Sequence, residues 1–220
     1  MMDPAKEVGG DFYDFFMLDK DHLVLVMADV SGKGIPAALF MMASKILIKN
    51  TSSGVFRSPA EILKIVNEQI CQGNAAEMFV TVWLGILEIS SGKLVCANAG
   101  HEYPVIFRKD RGFELLKDKH GLVIGAVDIA KYSDYEIFLE PGDGLFVYTD
   151  GVPEATNASG ELFGTDRMVE TLNRKPYENV REVLSDMKEQ IRLFVGEAPQ
   201  FDDITMMNLV YYGSDHDDTK

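Results

Sequence analysis

Apolar residues in this chain gather mostly in short continuous runs. Runs at 12–18 (FYDFFML), 23–29 (LVLVMAD), 78–89 (MFVTVWLGILEI), 94–99 (LVCANA), 104–108 (PVIFR), 135–139 (YEIFL), 144–149 (GLFVYT) and 204–212 (ITMMNLVYY) read as strands. Many are apolar at successive positions, the mark of strands covered on both faces. The turn signals SSG at 90–92 and PGD at 141–143 separate neighbouring runs. Helical patterns interrupt the strands. Ser58, Pro59 and Glu61 form a capping box with Pro at the first helical position, predicting a helix to about Gln72. Pro36 starts another, to about Asn50. Val180, Leu184, Met187, Ile191 and Phe194 form the apolar stripe of a long helix from about Pro176 to Val195, and a shorter helix is expected near 165–174. Two strands, two helices, a block of strands, two helices and a last strand make an α+β sandwich, with helices over the outer sheet faces.

Composition narrows the function. The 220 residues suit one domain, taken here as 1–212, followed by a polar, disordered tail at 213–220. A formal charge of −14 argues against nucleic acid and anionic membranes as partners. An acidic protein that handles anionic substrates needs metal ions to invert its local field. Cys71 and Cys96 stand alone, with no CxxC, which fits a reducing, cytoplasmic setting. No apolar run approaches the ~20 residues that span a bilayer, and the first ten residues lack the pattern of a signal peptide.

The chemistry is carried by aspartates at strand ends. The hairpin turn at 19–21 centres on Lys20, a register that sets Asp11 opposite Asp29. Like charges facing across strands destabilise a sheet, so something should compensate, and a divalent cation is the obvious candidate. The run at 144–149 ends in Asp150, and the run at 204–212 begins just after Asp202 and Asp203. Antiparallel strands would bring Asp11, Asp29, Asp150 and Asp202 to one rim. Oxygen-only donors point to Mg²⁺ or Mn²⁺, and several carboxylates together point to two ions, ~3.5–4 Å apart. Any one of these aspartates alone reads first as an ordinary turn former, and for the set the spacing leaves both readings open.

Five motifs in order, EVGGDFYD (7–14), ADVSGKGIPAA (28–38), ANAGHEYP (97–104), YTDGVPEA (148–155) and FDDIT (201–205), resemble the sporulation-protein-IIE-like (SpoIIE-like) branch of the 2C-type metal-dependent protein phosphatases. The resemblance spans nearly the whole chain. It implies a four-layer α/β/β/α sandwich of mostly antiparallel sheets. It also implies Mn²⁺- or Mg²⁺-dependent hydrolysis of phosphoserine or phosphothreonine on a protein. By motif position Asp29 bridges two ions, Asp150 and Asp202 hold one, and Asp11 with the backbone carbonyl of Val30 hold the other. Asp203 falls behind the ligands. The implied reaction is direct in-line attack by activated water, with no covalent enzyme intermediate. The substrate implied is a phosphorylated anti-anti-sigma-type regulator in a partner-switching pathway.

The chain departs from the pattern in three places. Lys33 stands where the wider family often carries a His, and it reads either as a phosphate-binding point charge or as a solvated loop residue. No arginine precedes the first motif. The strand that usually leads into that motif is missing from the pattern, which suggests an N-terminally truncated domain with a regulatory domain upstream in a longer chain. His101 reads as a structural hydrogen-bonding residue. The segment 151–175 reads as a mobile flap or an ordinary loop, and apolar helix surfaces leave room for a homodimer. Two other functions compete: a catalytically weak or inactive signalling module on the same fold that binds a regulatory partner, and a two-metal hydrolase of small phosphoesters.

Overall fold

Two antiparallel five-stranded sheets stack face to face, each covered on its outer side by a helix pair. The computed structural model describes residues 1–177 and 179–214. The expected tail falls on residues 215–220, outside the described residues, apart from its first two positions.

The first sheet runs in the order β2 (Phe12–Met17), β3 (His22–Val30), β4 (Val80–Glu88), β5 (Lys93–Ala99), β8 (Tyr135–Phe138). The second runs β1 (Met2–Asp3), β10 (Ile204–Val210), β9 (Gly144–Tyr148), β6 (Val105–Arg108), β7 (Gly112–Leu115). Helices α1 (Ile35–Ser52) and α2 (Pro59–Cys71) cover the first sheet, and α3 (Thr165–Asn173) and α4 (Val180–Val195) cover the second.

Three apolar layers result. Val24, Val26, Val82 and Leu84 point outward to Ile48, Ile62 and Val66 of the first helix pair. Their alternates Leu25, Met27, Trp83 and Cys96 point inward, to meet Leu145, Val147 and Met207 of the second sheet. Phe146, Tyr148 and Met206 then face Met168, Met187 and Ile191. The continuous apolar runs 23–28 of β3 and 82–87 of β4, and the whole of β9, follow from both faces being covered.

Several boundaries differ from the sequence pattern. A two-residue strand, β1, does precede the first motif and pairs with β10. The pattern also missed β7, which is only four residues long and contains the polar Glu114. Helix α4 starts at Val180 rather than near Pro176, because the Asn179 side chain caps the backbone N–H groups of Arg181 and Glu182. Its buried stripe is Val183, Met187 and Ile191. On α1, Met42 is exposed while Phe40 and Met41 pack on the core. Both cysteines are free. Among the described residues no helix is long and apolar enough to cross a membrane.

Candidate active site

Two registers build the site. Strands β2 and β3 pair from Phe12 opposite Ala28 to Met17 opposite Leu23. One step beyond Phe12 the register sets Asp11 beside Asp29, close enough for the Asp11 charge to raise the Asp29 pKa. In the second sheet Tyr148 of β9 stands opposite Met206 of β10. Asp150 follows the end of β9, and Asp202 and Asp203 precede the start of β10. Each sheet thus delivers two of the expected acids, Asp11 with Asp29 and Asp150 with Asp202.

Hydrogen bonds between the sheets bring the two pairs together. Thr149 Oγ1 donates to Asp11 Oδ2 at 2.7 Å. Asp203 Oδ2 accepts from the backbone N–H of Gly10 at 2.8 Å, and Oδ1 from that of Ala5 at 2.8 Å. The glycine pair follows from this packing. A Cβ on Gly9 would stand 2.3 Å from Asp203 Oδ2, and one on Gly10 would stand 3.1 Å from the Val30 carbonyl oxygen. That carbonyl therefore borders the same loop as Asp11.

Burial and crowding make the acids reluctant to ionise. Asp29 is pushed up to about 9, first by burial and then by the charges of Asp11, Asp150 and Asp202. Burial lifts Asp11 to about 7, with the Asp203 charge adding to it. Burial, with Glu154 and Asp202, lifts Asp150 to about 6. Lys33 brings a cation to the rim, its Nζ 2.8 Å from Asp202 Oδ2.

Among the described residues no three His, Cys, Asp or Glu side chains are already drawn around one point as a metal cage. The donor chemistry nevertheless fits a hard divalent cation. The rim offers oxygens only, and the acids repel one another in a way that a cation would relieve.

His101 does not join the donors. It is buried, with Nε2 3.0 Å from the Tyr148 carbonyl and Nδ1 2.8 Å from Thr81 Oγ1. A carbonyl only accepts, so Nε2 carries the hydrogen and Nδ1 accepts from the Thr81 hydroxyl. Burial pushes its pKa down to about 3, so the ring is neutral. Thr81 is the register partner of Asp29. His101 thus straps β4 to β9 directly behind the rim.

The segment after Asp150 is tied to itself, with Phe163 N bonded to Ala155 O and Gly164 N to Pro153 O. A cavity of about 270 Å³ lies beside it, lined by Gly151, Glu154, Lys188, Arg192, Phe201 and Asp202 among others. The sequence pattern missed Thr149, Thr81 and the amide-binding role of Asp203. No periodicity marks a side chain that bonds a residue far away in the chain.

The family model described as "Stage II sporulation protein E (SpoIIE)" matches residues 19–211. The chain belongs to this family. Protein IcfG of Synechocystis sp. is 31% identical over 234 residues, covering 94% of this chain and 36% of that protein. Phosphoserine phosphatase RsbU of Bacillus subtilis is 35% identical over 161 residues, 72% of this chain and 47% of that protein. Among solved structures, the SiaA PP2C domain of Pseudomonas aeruginosa superposes with a TM-score of 0.85 at 25% identity, covering 96% of this chain and 84% of that one. The SpoIIE-family chain has the fold of a PP2C phosphatase domain. It spans between a third and a half of the length of these two curated relatives. The family match begins after Asp11, so the place of Asp11 in the site rests on strand register.

Proposed function

We propose that the rim holds two divalent cations, Mn²⁺ or Mg²⁺, and hydrolyses phosphoserine or phosphothreonine on a protein. One observation carries this reading. Asp29 is a carboxyl set between two sheets, opposed by three other acids and pushed up to about 9. A fold has no structural use for that arrangement, whereas a pair of cations turns the repulsion into ligation. In this reading Asp29 would serve both ions. Asp150 and Asp202 serve one, and Asp11 and the Val30 carbonyl serve the other. When bound, such ions lower the pKa of water and neutralise charge on the phosphoryl group.

The remaining roles belong to the chain. Asp203 grips the loop that carries Asp11, and Thr149 orients the Asp11 carboxylate by its 2.7 Å hydrogen bond. His101 is neutral with both ring nitrogens engaged, so it supplies no proton to the leaving group. Solvent must do so.

The substrate we assign is a phosphorylated regulator of the anti-anti-sigma type, met in the cytoplasm, with turnover governed by a regulatory domain elsewhere in a longer chain. The relative RsbU, named a phosphoserine phosphatase, supports the class of bond cleaved. Hydrolysis of p-nitrophenyl phosphate with Mn²⁺ tests the mechanism. Asp29→Ala should fall to the background rate, while full metal-dependent turnover in that variant would remove Asp29 from the reaction.

A further inference from the structure

Lys33 lies in the turn between β3 and α1, and three contacts take up its ammonium. Nζ stands 2.8 Å from Asp202 Oδ2, donates to the Phe201 carbonyl at 2.5 Å and sits 4.0 Å from the centre of the Phe201 ring. The other Asp202 oxygen, Oδ1, accepts from the Asp203 N–H at 2.9 Å. Both carboxylate oxygens are therefore engaged, one of them by a cation. Apart from the adjoining residues, nothing stands within 4 Å of a Cβ built on Gly32 or Gly34, so the turn that carries Lys33 borders open space. The deep pair differs: Asp11 accepts from the Thr149 hydroxyl at 2.7 Å rather than from a cation.

We propose that Lys33 is a resident counter-ion of Asp202 that a divalent cation must displace, so that Lys33 sets the metal affinity of the outer half of the rim. The proposal rests on the reading of Asp202 as a metal ligand. Two cations cannot share Asp202 Oδ2 at contact distance without repulsion, and the more highly charged ion wins the oxygen. The displaced ammonium stays on a flexible four-carbon stem within reach of the rim, where a phosphate ester dianion is its natural partner. Lys33 would then hold the site together before metal arrives and face the substrate afterwards.

The test is calorimetric titration of the full 220-residue chain with MnCl₂, for the wild type, Lys33→Met and Lys33→Arg. The pair is partly exposed, at 32% and 27% of the side-chain surface, so the competition is modest. Lys33→Met should bind Mn²⁺ about two- to fivefold more tightly at one site, with a larger rise in Tm on adding Mn²⁺. Lys33→Arg, whose guanidinium can hold the carboxylate through two hydrogen bonds, should bind Mn²⁺ no more tightly than the wild type. Equal or weaker binding by Lys33→Met, or tighter binding by Lys33→Arg, overturns the proposal and leaves the metal site standing. A wild type that binds no Mn²⁺ overturns both.

Discussion

Two adjacent residues, Asp202 and Asp203, show how differently the two halves of the rim are held. Asp203 is buried and spends both oxygens on backbone N–H groups nearly 200 residues away, locking the loop that carries Asp11. Asp202 is partly exposed and pairs with a lysine from another loop. The inner half, Asp11 and Asp29, is built from strand register and buried hydrogen bonds, and it forms as the fold forms. The outer half, Asp150 and Asp202, sits just beyond strand ends and is balanced by a side chain that can leave. On the reading proposed above, the site is rigid where its geometry is set and exchangeable where an ion would enter.

The sharpest way to break this contrast is to substitute the neighbours in turn. Asp203→Ala leaves buried backbone donors without acceptors and should lower unfolding free energy by about 3 kcal/mol or more in urea denaturation. Asp202→Ala removes a partly exposed pair and should change it by less than about 1 kcal/mol. Equal effects would erase the distinction between the halves.

A smaller effect follows from charge. Asp29 at about 9, Asp11 at about 7 and Asp150 at about 6 lie above their ordinary 3.8. The folded chain then binds these protons more tightly than the unfolded one. Their contribution is present below about pH 4 and is lost as pH rises through the folded values. In EDTA, Tm should fall by about 5 °C between pH 5 and 8.5, and Mg²⁺ should remove most of that fall. A Tm that rises over this range without metal would show that the acids do not repel one another as described.

Much of this was legible in the sequence, and unevenly so. A tight turn centred on Lys20 sets Asp11 against Asp29 because antiparallel register is local and has a period of two. The continuous apolar runs of β3, β4 and β9 announced strands covered on both faces. The stacking that brings Asp150 and Asp202 to the same end was an inference from strand direction, and the five ordered motifs supplied what spacing left open. What stayed hidden was contact between distant segments. Thr149 on Asp11, Asp203 on the Gly10 amide and His101 between Thr81 and Tyr148 are single polar groups whose partners only the fold brings near. Lys33 was seen as a departure from the family pattern, but its partner Asp202 lies at the far end of the chain.

Where divalent ions bind on this chain is the deciding measurement. Crystals soaked in MnCl₂ and measured at the manganese absorption edge should show two anomalous peaks at the rim, one on either side of the Asp29 carboxylate, with Lys33 withdrawn from Asp202. Peaks remote from Asp29, or none at the rim under saturating Mn²⁺, would contradict it.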